Sequence, residues 1–212
     1  MTFNEELPLG SEKHQLSITL PAQLVGNGTE KYKGLGDVQF EYGYSILGDS
    51  TTRVTISPGI GLTLPTGNAR KELGAGSTGV SFKLPVSVML TKRFASNSTF
   101  ETTFTKSARN AEDERANTFG YEFGQSFVWF AKPKLNFLVE AVWESSQEVI
   151  GQGLKEYERE FLISPGVRWA HVFKSGLIVS PGVAVPIGIG PSRGEKGIFF
   201  YISFEHSLKK ER

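Results

Sequence analysis

Charged residues recur inside stretches that otherwise alternate between apolar and small polar side chains, and they are the residues of this chain best suited to chemistry. Acidic residues outnumber basic ones among them. Rings of charged side chains set the ion preference of pores, so the pattern predicts electrostatic selection of a solute rather than bond chemistry. The acidic positions are Asp37, Glu41, Glu101, Glu122, Glu140, Glu144 and Glu205, and the basic positions are Arg53, Lys83 and Arg168.

Residue types that support catalysis or metal binding are sparse. The chain has no Cys, and no pair of its three histidines (His14, His171 and His206) has ligand spacing. Ser203 and Ser207 point away from the face that carries His206, which argues against a catalytic triad. The glycine-rich segment 74–79 lacks the lysine of a phosphate-binding loop and is predicted to be a mobile loop. We therefore predict no enzymatic activity, no cofactor and no metal.

Composition excludes further classes of protein. A length of 212 residues suits a single β domain. The formal net charge of +1 gives no electrostatic footprint for a nucleic acid. No run approaches the roughly 18 apolar residues of a membrane helix. Glycine makes up about 11% of the chain (24 residues), against a usual ~7%, which indicates many strands and turns.

The elements that position the charged residues are long strands. Apolar residues recur with a period of two over ten or more residues, and successive side chains of a strand point to opposite faces. Globular strands average about five or six residues, whereas about ten are needed to cross a bilayer. We predict ten strands, near 14–25, 36–47, 52–65, 80–93, 98–107, 117–131, 135–147, 160–173, 176–190 and 197–208.

The predicted connections alternate in length. Short ones fall at 48–51, 95–97, 132–134 and 174–175, and longer polar ones at 26–35, 66–79, 108–116, 148–159 and 191–196. A consecutive antiparallel meander gives this alternation when the tight turns lie at one rim and the loops at the other. Outer-membrane barrels have this asymmetry.

The two faces of the strands distinguish a membrane barrel from a soluble one. The polar face is rich in Gly, Ser and Thr, whereas a water-facing exterior carries more Lys and Glu. The apolar face is continuous and bears many aromatic residues, five of them on one strand, as an interfacial girdle would. We therefore predict that the apolar face meets lipid. These five residues are Phe119, Tyr121, Phe123, Phe127 and Trp129.

A turn centred on Pro133 sets the expected register of two strands. It places Trp129 beside Phe137 on the outer face and Glu122 opposite Glu144 on the inner face. Like charges directly opposite each other are unfavourable. We therefore expect a nearby cation or a shared proton at this carboxylate pair.

Four short motifs resemble the outer-membrane barrels named for the meta-pathway of phenol degradation. The resemblance covers about residues 5–208 and implies a Gram-negative outer-membrane barrel of roughly twelve strands that takes up small, often aromatic or apolar, compounds. It brings no catalytic residues. The motifs are Gly34–Asp37, Leu64–Gly67, Leu73–Gly76 and Leu84–Ser87.

The ends of the chain depart from that family pattern. Members carry a signal peptide and one or two opening strands before the region that matches Asn4–Val25. We therefore interpret residues 1–13 as an N-terminal tail or truncated strand, 14–208 as one β-barrel domain, and 209–212 as a charged tail in place of a terminal aromatic residue.

The sequence thus predicts an all-β, up-and-down antiparallel transmembrane β-barrel, with ten strands visible and about twelve in a complete barrel. We predict a passive, porin-like channel for small solutes in the Gram-negative outer membrane. Its expected partners are membrane lipid, lipopolysaccharide and the solute, not nucleic acid; the oligomeric state is open. The selectivity residues are expected to be Glu41, Arg53, Lys83, Glu101, Glu122, Glu140, Glu144 and Arg168.

Two other functions remain open at this point. A barrel closed by a salt-bridged plug would serve as a structural or adhesive protein that works through its surface loops. A soluble β-barrel that carries a ligand would turn the apolar face inward.

Overall fold

The structure of the chain, a computed structural model, describes residues 1–11, 13–26, 31–49 and 51–205. These residues form fifteen strands and two short 3-10 helices, Ala69–Lys71 and Gly190–Ser192. None of the helices in these ranges is long and apolar enough to span a membrane. Strands β1 to β15 are Thr2–Pro8, His14–Gly26, Lys31–Leu35, Val38–Tyr44, Val54–Ile56, Gly59–Leu64, Gly79–Thr91, Phe94–Arg109, Arg115–Lys132, Leu135–Gly151, Leu154–Trp169, His171–Val172, Ile178–Ala184, Ile187–Gly188 and Phe199–Glu205.

Strands that follow each other in sequence pair in one sheet, in the order β1-β2-β4-β6-β7-β8-β9-β10-β11-β13, with β15 on β13. The short strands β3, β5, β12 and β14 pair with β2, β7, β13 and β11. The pairings with a defined register are all antiparallel. This up-and-down meander confirms the predicted fold class.

By its internal contacts the chain forms two compact units. Unit 1 comprises 1–86, 99–123 and 144–159, and unit 2 comprises 87–98, 124–143 and 160–212. The long strands β7 to β11 contribute segments to both units.

The apolar faces of the strands are exposed, and there is almost no apolar core. Among the described residues only Leu73, Ala95, Ala108 and Ala116 are buried hydrophobics. The accessible surface is 14449 Å², whereas a soluble monomer of 23.3 kDa exposes about 9,700 Å². A soluble ligand carrier would bury its apolar face, whereas this chain exposes it. It suits strands whose outer face meets lipid.

Several predicted strand ends are wrong, and the errors share a cause. Strand β1, in the segment 1–13 interpreted as a tail or truncated strand, pairs with β2 from Thr2–Pro21 to Pro8–Gln15 and adds to the ten strands predicted. The long loop expected at 148–159 does not exist: β10 and β11 are joined by a two-residue turn. Polar segments were interpreted as loops. Strand pairing, however, satisfies the backbone hydrogen bonds of residues outside the apolar part of a strand as well as of those within it.

Other boundaries also shift. Strand β8 begins at Phe94 and not near 98, so the turn lies at Lys92–Arg93 and not at 95–97. The connection expected at 108–116 is shortened to residues 110–114. The prediction of a turn at 132–134 is confirmed, since β9 ends at Lys132 and β10 begins at Leu135. The tail predicted at 209–212, like His206, lies outside the described residues.

Aromatic rings stack across three strands of unit 2. The rings of Phe94 and Trp129 are 6.3 Å apart with an interplanar angle of 9°, and those of Trp129 and Phe137 are 5.6 Å apart. The second contact confirms the predicted pairing of Trp129 with Phe137. Because Trp129 stands between two partners, it ties β8 to β9 and β9 to β10.

Replacing Trp129 by alanine is expected to lower the free energy of unfolding by about 2 kcal/mol, because each aromatic pair contributes about 0.5–1.5 kcal/mol. Urea unfolding in phospholipid vesicles, followed by the heat-sensitive shift of the folded band on a gel, measures this loss. Phe127→Ala is the matched control, since this exposed ring on the same strand has no ring contact among the described residues. An equal loss in both variants would contradict the prediction.

Candidate functional site

The register of unit 1 brings polar residues of successive strands into one row. Glu6 of β1 lies opposite Ser17 of β2, and Ser17 lies opposite Glu41 of β4. Glu41 in turn lies opposite Gly61, and Gly61 opposite Ser81. Because every second residue of a strand faces the same way, these side chains share the polar face of the sheet. They border a polar groove of about 170 Å³.

Lys83 joins two carboxylates of this face. Its Nζ lies 3.3 Å from Oε2 of Glu41 and 3.9 Å from Oε2 of Glu101, so that it bridges strands β4 and β8. All three side chains are about one-third exposed, at 34, 28 and 29%. Ser81 donates a further hydrogen bond to Glu101. The ammonium group therefore offsets part of the repulsion between two acidic strand positions.

Glu122 and Glu144 extend the acidic positions onto strands β9 and β10. A Cβ placed on Gly120 lies 3.5 Å from the Cβ of Ser146, which fits the predicted register that sets Glu122 opposite Glu144. Glu144 also lies within electrostatic range of Glu101. Both side chains are half-buried, and each makes an interaction of its own. We refer to Glu41, Lys83, Glu101, Glu122 and Glu144 as the carboxylate row.

The pairing of β8 with β9 sets Glu101 beside this pair. In unit 2 the Ser98 hydroxyl donates to Gln125 at 2.6 Å, and the Asn97 amide donates to Ser126 at 3.3 Å. Continued along the same two strands, this register sets Glu101 opposite Glu122.

The remaining predicted selectivity residues are Arg53, Glu140 and Arg168. Arg53 is exposed and precedes β5, so it does not lie on a strand as predicted. Glu140 and Arg168 belong to unit 2, where Glu140 is exposed on β10 and Arg168 lies opposite Gly182 of β13.

The position of Arg53 has a local cause. The connection before β5 is extended by a turn in which the backbone N–H and the hydroxyl of Thr51 donate to Asp49 at 2.8 and 2.7 Å. The same hydroxyl lowers the pKa of this carboxyl group. The turn holds Arg53 outside the strand that the alternating pattern had predicted for it.

A second polar cluster, which sequence reasoning missed as a unit, lies at the start of β4. Both carboxylate oxygens of Asp37 accept backbone hydrogen bonds, Oδ1 from Gly67 at 2.8 Å and Oδ2 from Ala75 at 2.7 Å. Asp37 is only 9% exposed. It therefore anchors the 66–79 loop, of which the glycine-rich segment 74–79 had been predicted to be mobile. The sequence does contain a signal for this cluster. Asp37 is an acidic residue directly before a strand, and the glycine-containing motifs Leu64–Gly67 and Leu73–Gly76 supply the backbone N–H groups.

The chemistry available on this polar face is electrostatic. No group of His, Cys, Asp and Glu within the described ranges could hold a metal ion. His14 contacts aromatic residues, with its Nδ1 2.6 Å from the Tyr42 hydroxyl and its ring 4.9 Å from that of Tyr44. His171 packs edge-on against Phe173. These contacts are typical of interfacial side chains.

The fold defines the class of protein as an up-and-down antiparallel transmembrane β-barrel. Among solved structures the chain resembles a NanC porin in a rhombohedral crystal form, with a TM-score of 0.55 over 98% of this chain and 97% of that chain. The two sequences are 10% identical, so the likeness concerns the fold alone.

The family follows from the sequence itself. Residues 1–187 match the model of the family described as "Putative MetA-pathway of phenol degradation". The chain belongs to this family, which confirms the resemblance carried by the four short motifs. None of the curated protein sequences matches the chain.

Proposed function

We propose that this protein is a passive channel of the Gram-negative outer membrane for small solutes, with the polar face of unit 1 lining its lumen. The observation that carries the proposal is the contrast between the two faces. Large apolar side chains such as Phe123 and Phe127 are exposed on one face, and Glu41, Lys83 and Glu101 of the carboxylate row border a groove on the other. An apolar exterior with a polar interior is the arrangement of a channel-forming barrel.

The carboxylate row supports a preference for cations, or for solutes with a positively polarised end. It holds four carboxylates against the one ammonium group of Lys83. A ring of acidic side chains raises the local concentration of cations and repels anions. Because the side chains of Glu41, Lys83 and Glu101 remain about one-third exposed, ions can reach them with part of their hydration shell in place.

Family membership suggests the chemical kind of solute. The family is described by a pathway of phenol degradation, and the proposed cargo is accordingly a small aromatic or apolar compound with a polar end. Hydroxyl or amine groups of such a compound would donate hydrogen bonds to the carboxylates. Membrane lipid surrounds the exposed aromatic faces in this proposal, and lipopolysaccharide is the proposed partner at the outer rim.

Single-channel recording in planar bilayers tests the proposal. The wild-type protein is expected to give discrete conductance steps with a reversal potential that favours potassium over chloride. The double variant Glu122→Gln plus Glu144→Gln removes two charges from the row and is expected to lower this preference at least about two-fold. The matched control, Glu112→Gln plus Glu195→Gln, removes two charges from exposed connections and should leave the preference unchanged.

The ion pairs of Lys83 favour a second function. By bridging Glu41 and Glu101 this residue cross-links strands on the polar face, as a plug that stabilises a closed structural or adhesive barrel would. In that case the folded protein gives no conductance steps in the planar bilayer. Conductance steps with an ion preference that is identical in both double variants would refute the role of the carboxylate row.

A further inference from the structure

The 66–79 loop is anchored on the polar face of unit 1. Asp37 directly precedes β4, two residues before Gln39 and four before Glu41, and alternation continued by one residue puts it on the side of the sheet that carries these two side chains. The carboxylate of Asp37 accepts the backbone N–H groups of Gly67 and Ala75, near the beginning and the end of the loop. The loop is therefore held on the face that carries the carboxylate row.

Further anchors of the loop lie on strand β8. The backbone N–H of Arg109 donates to the carbonyl of Ala75 at 2.8 Å, and the hydroxyl of Ser77 donates to the carbonyl of Lys106. Two other strands, β6 and β7, lie between β4 and β8 in the sheet. Since neighbouring strands are about 4.8 Å apart, the loop bridges roughly 14 Å of the sheet.

The interior of the loop is packed and leaves little freedom to move. Leu73 is 4% exposed, and its backbone N–H donates to the carbonyl of Asn68 at 3.0 Å. A Cβ on Gly34 would lie 2.9 Å from the Cδ1 of Leu73, and a Cβ on Gly74 would lie 2.2 Å from Oδ1 of Asp37. Glycine at Gly34 and Gly74 therefore allows the strand, the loop and the carboxylate to approach closely.

We propose that the 66–79 loop is a fixed constriction over the polar face, and that Asp37 is the positioning residue that sets the size limit of the solutes that pass. This inference rests on the proposed channel function. A loop held at both ends and packed through Leu73 narrows the space above the polar face. Loss of the carboxylate frees two backbone N–H groups near opposite ends of the loop, and the loop can then move away from the face.

Liposome swelling with neutral sugars of increasing size tests this inference, because neutral probes separate size from charge. Wild-type vesicles are expected to swell with arabinose and to respond progressively less to glucose, sucrose and raffinose. Asp37→Ala is expected to raise the raffinose rate, relative to arabinose, at least about five-fold. Asp37→Asn keeps one acceptor oxygen and should give an intermediate rise.

The matched control is Asp49→Ala, which removes an exposed aspartate from the turn before β5. It should leave the size dependence as in the wild type. Each variant is first checked for the folded, heat-sensitive band on a gel. If Asp37→Ala does not fold, Ser77→Ala removes one of the two hydrogen bonds between the loop and β8 without exposing a buried charge, and a rise in the raffinose rate of about two-fold is expected.

The outcomes separate this inference from the channel function. If wild-type vesicles do not swell with arabinose, the channel function fails. If they swell, and the folded Asp37 and Ser77 variants show the wild-type dependence on sugar size, the constriction is refuted while the channel function stands. A raffinose rate that rises only in the Asp37 and Ser77 variants supports the inference.

Discussion

Replacing Lys83 by methionine is expected to lower the free energy of unfolding by about 2 kcal/mol at neutral pH, between the values for exposed and for fully buried ion pairs. The ammonium group lies 3.3 Å from Glu41 and 3.9 Å from Glu101. Its removal leaves these carboxylates facing each other on a partly desolvated surface without the charge that joined them. Methionine preserves most of the side-chain volume, so the expected loss reflects charge rather than packing.

The loss should be recovered when the carboxylates are neutralised. The triple variant Lys83→Met, Glu41→Gln, Glu101→Gln is expected to regain most of the stability, because its amides no longer repel each other. Urea unfolding of Lys83→Met and of the triple variant in phospholipid vesicles measures this recovery.

Lys174→Met, in an exposed turn, is the control for the loss of a lysine and should change the free energy of unfolding by less than about 0.5 kcal/mol.

The Lys83→Met variant should also show a stronger preference for potassium over chloride, because the carboxylate row keeps four carboxylates and loses its cation. An unchanged stability together with an unchanged ion preference would contradict the electrostatic role given to Lys83.

The faces of the strands could be predicted from the sequence because they depend on a local rule. Each residue of a strand points opposite to its neighbours, so alternation alone assigns Phe127 and Trp129 to one face and Glu122 to the other. The contact between Trp129 and Phe137 followed from one turn at Pro133–Lys134. Such features need no knowledge of distant parts of the chain.

The ends of the strands and the fate of the loops could not be predicted in this way. The polarity of a segment does not distinguish an exposed strand from a loop. Pairing with a neighbouring strand satisfies the backbone hydrogen bonds of a polar segment as well as those of an apolar one. The turn at 152–153 is fixed by hydrogen bonds of Gly153 and Gln152 to Arg115, a residue far away in sequence. The anchoring of the 66–79 loop likewise depends on Asp37, about thirty residues before it. Only the folded chain brings these partners together.

Gly67 is the position where a single methyl group is expected to have the largest effect on this loop. A Cβ there would lie 2.1 Å from the carbonyl oxygen of Leu73 and 2.9 Å from Oδ1 of Asp37. A backbone carbonyl cannot rotate away as a side chain can, so Gly67→Ala must displace the loop itself. Both the burial of Leu73 and the hydrogen bond from the Gly67 N–H to Asp37 would be weakened, and we expect a loss of at least about 3 kcal/mol.

Gly43→Ala is the matched control for this substitution. Gly43 also lies on the polar face, at a strand position opposite Gly59, and a Cβ there meets no atom within 4 Å. Because alanine restricts the unfolded chain, this variant should be unchanged or more stable by about 0.4–1 kcal/mol. Urea unfolding of both variants in the same vesicles gives the comparison. If Gly67→Ala is as stable as Gly43→Ala, the loop is not packed against Leu73 and Asp37 as the structure describes, since only that packing makes the two glycines differ.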